Sequence, residues 1–158
     1  ALEHALAKLQ VPFARAAVGD RYVVEMLHDK GWLYGGENSG HILALDRHTT
    51  GDGIVAALQV LAALREAGGD LKTLLGELVL YPQKLINVPV SRGFSWRDHP
   101  SISAAVLDAE TRLAGRGRVL LRASGTEPLL RVMVEGENAT EVLDAAERLA
   151  AVVRESAQ

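Results

Sequence analysis

The chain has 158 residues and a formal net charge of −3, from 17 Lys+Arg against 20 Asp+Glu. Apolar residues make up 48%, with a mean hydropathy of +0.08, so a core can form and a disordered chain is excluded. Cysteine is absent, which excludes disulfides, thiolate metal sites and cysteine nucleophiles and fits a reducing, cytoplasmic setting. The near-neutral balance gives no general pull toward nucleic acid or a membrane surface, and no apolar run approaches the roughly 20 residues of a membrane span. Neither is expected as a partner, and an anionic ligand would need local arginines.

Leu2, Leu6 and Leu9 recur at helical spacing, so the chain reads as starting inside an element, with no charged leader. Pro12 ends that helix, and Phe13 to Val18 reads as a short strand. Gly19-Asp20 opens a second helix with Val23, Val24 and Leu27 inward and Gly31 as its stop. Trp32 to Tyr34 and His41 to Leu45 read as strands joined by the glycine-rich turn 35–40. Thr49-Thr-Gly-Asp52 supplies N-cap chemistry for a third helix. From Ile54 to Ala67 that helix is apolar almost all round and is expected to pack on more than one side. Asp70 caps a short helix reaching about Leu78.

The character changes at Leu80-Tyr81-Pro82, read as a hinge. Lys84 to Val90 reads as a strand, and Pro100 starts a helix with Ile102, Val106, Ala109 and Leu113 on one stripe, closed by Gly115. Arg118 to Arg122 and Leu129 to Glu135 read as strands around a loop, and Asn138-Ala-Thr-Glu141 caps a last amphipathic helix carrying Val142, Ala146, Leu149 and Val153. The fold class is therefore α/β plus α+β: an α/β half over 1–78 and an α+β half over 79–158.

Arg122-Ala-Ser-Gly-Thr-Glu-Pro128, with Arg131 beyond it, has the chemistry of an anion site. Gly125 lets backbone N–H groups turn toward an oxyanion, the Ser124 and Thr126 hydroxyls can donate, and two guanidinium forks on the strand stems can converge on one phosphate. The same residues also suit an ordinary polar hairpin tip. Gly35-Gly-Glu37-Asn-Ser39-Gly-His41 suits hydrogen bonding to adjacent sugar hydroxyls through Glu37 and Ser39, with His41 able to move a proton or to orient the sugar. A plain turn with an incidental acid is the alternative.

Thr50-Gly51-Asp52-Gly53 offers one aspartate and no Gly-Lys-Ser/Thr, so it reads as a helix cap rather than a metal or phosphate loop. Asp46, His48 and His41 fit no common ligand spacing, and no metal site is expected in the chain. His4, His28 and His99 read as isolated and solvated, and Arg112, Arg116 and Arg118 as a wet face without aromatic platforms.

At the two glycine-bearing loops the sequence resembles the α-D-phosphohexomutases. Gly36-Glu-Asn-Ser-Gly-His41 is similar to the sugar-binding loop of that family's third domain. Arg122-Ala-Ser-Gly-Thr-Glu-Pro-Leu-Leu-Arg-Val-Met-Val-Glu-Gly136 is similar to the phosphate-binding loop of its fourth. Val18-Gly-Asp-Arg-Tyr-Val23, Thr49-Thr-Gly-Asp-Gly53, Tyr81-Pro-Gln and Ile86-Asn-Val88 agree in order, and the Glu-Asn-Ser form resembles the glucosamine branch. The resemblance implies the carboxy-terminal portion of a mixed α/β domain 3 over 1–78, followed by a TBP-like α+β domain 4 over 79–158. It also implies an intramolecular phosphotransferase that interconverts glucosamine 6-phosphate and glucosamine 1-phosphate through a phosphoserine, in the supply of peptidoglycan and UDP-N-acetylglucosamine precursors.

By that resemblance Glu37 and Ser39 contact the sugar, His41 lies near the reacting oxygens, and Arg122, Ser124, Gly125, Thr126 and Arg131 clamp the phosphate that is not transferred. The family's phosphoserine loop and its Asp-Gly-Asp-Gly-Asp magnesium loop are not in these residues. The chain is thus expected to be inactive alone, with Mg2+ ligands outside it and the missing N-terminal domains as its partners. The implied ligand is a phosphorylated amino sugar, and a homodimer stays open for the full-length protein. The mannose/glucose branch and a non-catalytic sugar-phosphate-binding module are the alternatives.

Overall fold

The computed structural model describes residues 1–37, 39–76 and 78–157. The chain divides into two compact units, Ala1–Leu78 and Val79–Gln158, each considered by itself.

The first unit is built on α1 (Leu2–Lys8), α2 (Asp20–Lys30), the hairpin strands β1 (Tyr34–Gly36) and β2 (Ile42–Ala44), α3 (Gly53–Ala67) and α4 (Leu71–Leu75). Phe13 to Val18 forms no strand. A strand needs a neighbour to complete its hydrogen bonds, and β1 and β2 pair only with each other among the described residues. β1 also sits later than the sequence suggests, because Gly35 and Gly36 lie in it rather than in the turn, while β2 falls within the expected His41 to Leu45. A Cβ on Gly35 would lie 2.8 Å from Val23 and 3.0 Å from Leu27, so glycine there lets α2 lie against β1. Leu27, Leu43 and Ala44 are buried.

α3 corrects another expectation. It meets β2 and α4, but no residue on it is buried, and Ile54 and Leu61 stay 75% and 60% exposed. The apolar circumference calls for cover that the described elements of this unit do not supply. α4 stops at Leu75 rather than running to Leu78, because Gly76 takes φ +53°.

Asp52 and Asp70 cap α3 and α4 as the sequence suggests. Asp52 Oδ1 accepts from the Ile54 and Val55 amides at 2.8 and 3.0 Å, and Asp70 Oδ1 accepts from the Thr73 amide at 2.7 Å. These bonds hold both carboxyls below the ordinary value of 3.8, through Val55 and Ile54 for Asp52 and through Thr73 for Asp70. A depressed folded-state pKa contributes stability above the unfolded value, and that stability is lost as pH falls through the folded one. Asp52→Asn, which caps without titrating, is therefore expected to lose less thermal stability than the wild type between pH 7 and pH 3. Melting curves at the two pH values check this.

The second unit contains β3 (Gln83–Pro89), α5 (Pro100–Leu113), β4 (Gly117–Ala123), β5 (Leu129–Gly136) and α6 (Ala139–Ser156). Its three strands form an antiparallel sheet in the order β3-β5-β4. Leu130, Val132 and Val134 on the central strand are fully buried and face α5 and α6, together with Val88, Leu121, Ile102, Val142, Ala146, Leu149 and Val153. The alternate residues Arg131, Met133 and Glu135 point to the opposite face, as the period of two requires. α5 ends through Ala114 at φ +47° and Gly115 at φ +78°, and Asn138 caps α6 by accepting from the Thr140 and Glu141 amides. Tyr81 Oη donates to Glu137 Oε1 at 2.9 Å, and the Gly136 amide donates to the Pro82 carbonyl at 3.1 Å. Tyr81 and Pro82 are thereby fixed to the end of β5.

Candidate functional site

Each unit carries one candidate loop. In the first unit the loop between β1 and β2 is closed by backbone bonds, Glu37 N–H to the His41 carbonyl at 3.0 Å and Gly40 N–H to the Glu37 carbonyl at 3.1 Å. Gly36 is sterically required, since a Cβ there would lie 2.8 Å from the His41 carbonyl oxygen. Glu37, half-buried, is aimed by the start of α2: Gly19, at φ +129°, donates its N–H to Glu37 Oε1 at 2.7 Å. Ser39 Oγ donates to Glu37 Oε2 at 3.4 Å. Asn38 lies outside the described residues.

His41 Nδ1 lies 2.6 Å from Asp20 Oδ2, and one ligand atom each from Asp20, Glu37 and His41 fall within 4.8 Å of one another. The loop thus brings the three sequence-predicted residues Glu37, Ser39 and His41 to one place and adds Gly19 and Asp20. Sequence reasoning placed Asp20 only at a helix start, because its distance to His41 follows no local spacing rule. The trio does not fit magnesium. That ion prefers an octahedron of oxygen donors, whereas the set includes an imidazole, and His41 and Gly19 already engage one oxygen of each carboxylate. Asp46 is engaged by Tyr34 and Arg47, and His48 by Thr50, so neither joins the trio.

In the second unit Arg122 and Arg131 are directly opposed across β4 and β5, on the sheet face away from α5 and α6, with Asn87 of β3 next in the row. Like charges directly opposite repel. Arg112, Arg116 and Arg118 pair with Asp108, Glu141 and Glu135, as a solvated ion-paired face does. Arg122 and Arg131 have no carboxylate partner among the described residues. A cation pair left without an internal anion is prepared for an external one, and guanidinium forks suit phosphate.

The adjoining loop is set by the Ser124 N–H to the Leu129 carbonyl at 2.8 Å and by Ser124 Oγ, which accepts from the Glu127 N–H at 3.3 Å. Gly125 departs from the expected reason for its presence. It is not among the positive-φ residues, and a Cβ on it would meet nothing within 4 Å. What glycine leaves at this position is open backbone. His99 also differs from its reading as solvated: it precedes α5, faces Phe94 with ring centroids 6.2 Å apart, and has a buried Nδ1. His4 is half-buried, and His28 is exposed.

The first unit thus presents a carboxylate–hydroxyl–imidazole set and the second an opposed arginine pair. Residues 1–81 match the family model described as phosphoglucomutase/phosphomannomutase, alpha/beta/alpha domain III, and residues 85–152 match the model of its C-terminal domain. The chain belongs to the phosphoglucomutase/phosphomannomutase family. Among curated relatives it is 83% identical over 158 residues to a phosphoglucosamine mutase of Dechloromonas aromatica, covering all of this chain and 35% of that protein. It is 59% identical over 155 residues to the phosphoglucosamine mutase of Thiobacillus denitrificans, covering 98% and 34%. The chain thus spans about a third of the length of these relatives. A solved Aspergillus fumigatus N-acetylphosphoglucosamine mutase superposes with TM-score 0.80 at 24% identity, covering 98% of this chain and 36% of that one. The same enzyme in complex with GlcNAc-6P and magnesium superposes with TM-score 0.76 at 22% identity, covering 99% and 37%. At these identities the likeness concerns the mixed α/β fold.

Proposed function

We propose that this chain is the sugar- and phosphate-binding part of a phosphoglucosamine mutase, which interconverts glucosamine 6-phosphate and glucosamine 1-phosphate. The observation that carries the reading is the opposed Arg122/Arg131 pair, without a carboxylate partner among the described residues, beside the Ser124–Thr126 loop. Arg122, Ser124, Gly125, Thr126 and Arg131 hold the phosphate that stays on the sugar. The guanidinium forks neutralise it, and the open backbone at Gly125 lets its oxygens approach. Glu37 and Ser39 read the sugar hydroxyls from a loop fixed to the start of α2. His41 moves a proton at the reacting oxygen or orients the sugar beside it.

A mutase of this kind needs a clamp that accepts either end of the substrate, because the sugar turns between two transfers. Catalysis then comes from positioning and charge neutralisation. The second unit acts as a lid, its movement taken up just before Tyr81, and water is kept from the phosphoryl group. The transferred phosphoryl group belongs to a phosphoserine outside these residues, and magnesium, also held elsewhere, would neutralise charge on it. The missing N-terminal domains of the same protein complete the site. The setting is cytoplasmic, in the supply of cell-wall and nucleotide-sugar precursors; no helix of the described residues is long and apolar enough to cross a membrane.

An amide-resolved NMR titration of this chain with glucosamine 6-phosphate, against inorganic phosphate, tests the binding roles. Shifts at residues 124–127 with both ligands and around Glu37 to His41 only with the sugar are expected. Shifts at neither loop would count against them. Turnover of glucosamine, mannose and glucose phosphates by the full-length protein separates the branches of the family, with glucosamine expected to be preferred.

A further inference from the structure

We infer that Asp20 is a positioning residue for His41, fixing the ring in the tautomer that leaves Nε2 as its basic nitrogen. The inference rests on the proposed role of the β1–β2 loop and adds a residue and a chemical state to it. An ionised carboxylate accepts hydrogen bonds and donates none. With Asp20 Oδ2 2.6 Å from His41 Nδ1, the proton of the neutral ring therefore belongs on Nδ1. Nε2 then carries the lone pair. It can take a proton from a sugar hydroxyl, becoming an imidazolium that Asp20 neutralises, and return that proton to a leaving oxygen.

The surroundings hold Asp20 in this task. It is the first residue of α2, and the preceding Gly19 takes φ +129° and clamps Glu37 with its N–H. Gly51, ahead of α3, closes on both partners: a Cβ there would lie 3.8 Å from His41 Cβ, 3.9 Å from Asp20 Oδ2 and 3.6 Å from the buried Leu43. The Asp20 side chain is 37% exposed and that of His41 59%, so the imidazole stays reachable and its partner is the less exposed of the two. The second oxygen of Asp20, Oδ1, is buried and accepts nothing among the described residues. His41 is thus the ring on which this carboxylate spends its hydrogen bond.

Two readouts test this. In the full-length protein, Asp20→Ala and His41→Ala are each expected to lower kcat for glucosamine 6-phosphate by about 100-fold, in the range of a lost acid–base group. KM should change by less than about threefold, and the double variant should be no slower than the worse single one, because both remove the same function. Histidine-selective 15N NMR should find the neutral His41 ring protonated on Nδ1 in the wild type and shifted toward Nε2–H in Asp20→Ala. If Asp20→Ala does not fold, Asp20→Asn, of equal size, takes its place. A wild-type ring protonated on Nε2, or single losses that multiply in the double variant, would overturn the inference. Absence of mutase activity in the wild type would instead overturn the proposed function, while the tautomer measurement still decides on Asp20.

Discussion

Arg122→Ala in the full-length protein is expected to weaken sugar-phosphate binding by about 2 kcal/mol, roughly thirtyfold, as for a lost charge-assisted contact. The same change is expected to leave folding stability equal or slightly higher. Arg122 faces Arg131 across the strand pair, and neither has a carboxylate partner among the described residues, so removing one cation relieves repulsion. Opposite signs for binding and stability are the mark of a residue kept for a ligand. Arg118→Ala serves as the control: it sits four residues away on the same face of β4 and pairs with Glu135 at 2.8 Å, so its loss should cost stability and spare binding. Sugar-phosphate titration calorimetry and thermal melts on both variants check the pattern. An Arg122→Ala protein with unchanged affinity and kinetics would remove Arg122 from the site.

Leu130→Ala is expected to destabilise the second unit by about 3 kcal/mol, within the range for a buried leucine truncated to alanine. Leu130 is fully buried on the central strand, between Val88 of β3 and Ala123 of β4 in register, and faces the helices. For a unit of this size the loss corresponds to a fall in melting temperature of roughly 12 °C or more. Circular dichroism melts of the chain measure it. Leu130→Met, which conserves volume, should cost less than about 1.5 kcal/mol. Since Leu130 precedes Arg131, the alanine variant should also loosen the phosphate loop, visible as weaker phosphate binding below the melting transition.

The second unit was legible in the sequence nearly throughout, because its signals are local. Pro100 and Asn138 mark helix starts, the stripe of Val142, Ala146, Leu149 and Val153 gives the buried side of α6, and Leu130, Val132 and Val134 alternating with Arg131 and Glu135 give the two faces of β5, although Met133 is buried on the second face. The facing of Arg122 and Arg131 follows from two strands of matching length around one loop. The first unit was less legible because its structure depends on close approaches. Gly35 and Gly36 have turn composition, yet one makes room for α2 and the other for the His41 carbonyl. Phe13 to Val18 has strand composition, but pairing is a property of two segments and cannot be read from one. The Asp20–His41 bond joins residues 21 positions apart through a helix start and a hairpin, so neither sequence period announces it.

The division of burial between the units has a consequence for how the chain opens. Among the described residues, the buried apolar ones of the first unit are only Leu27, Leu43 and Ala44, while α3 buries none and leaves Ile54, Leu58 and Leu61 exposed. The second unit closes its core over a central strand paired on both sides. Amide protons of residues 1–76 should therefore exchange with solvent well before those of β5 and α6, and a protease should cut first in the earlier residues. The β1–β2 loop, proposed to read the sugar, then stands on the softer support and the arginine pair on the harder one. A ligand that grips the first loop would be detected most sensitively as slowed exchange there, rather than as a rise in the melting temperature of the whole chain.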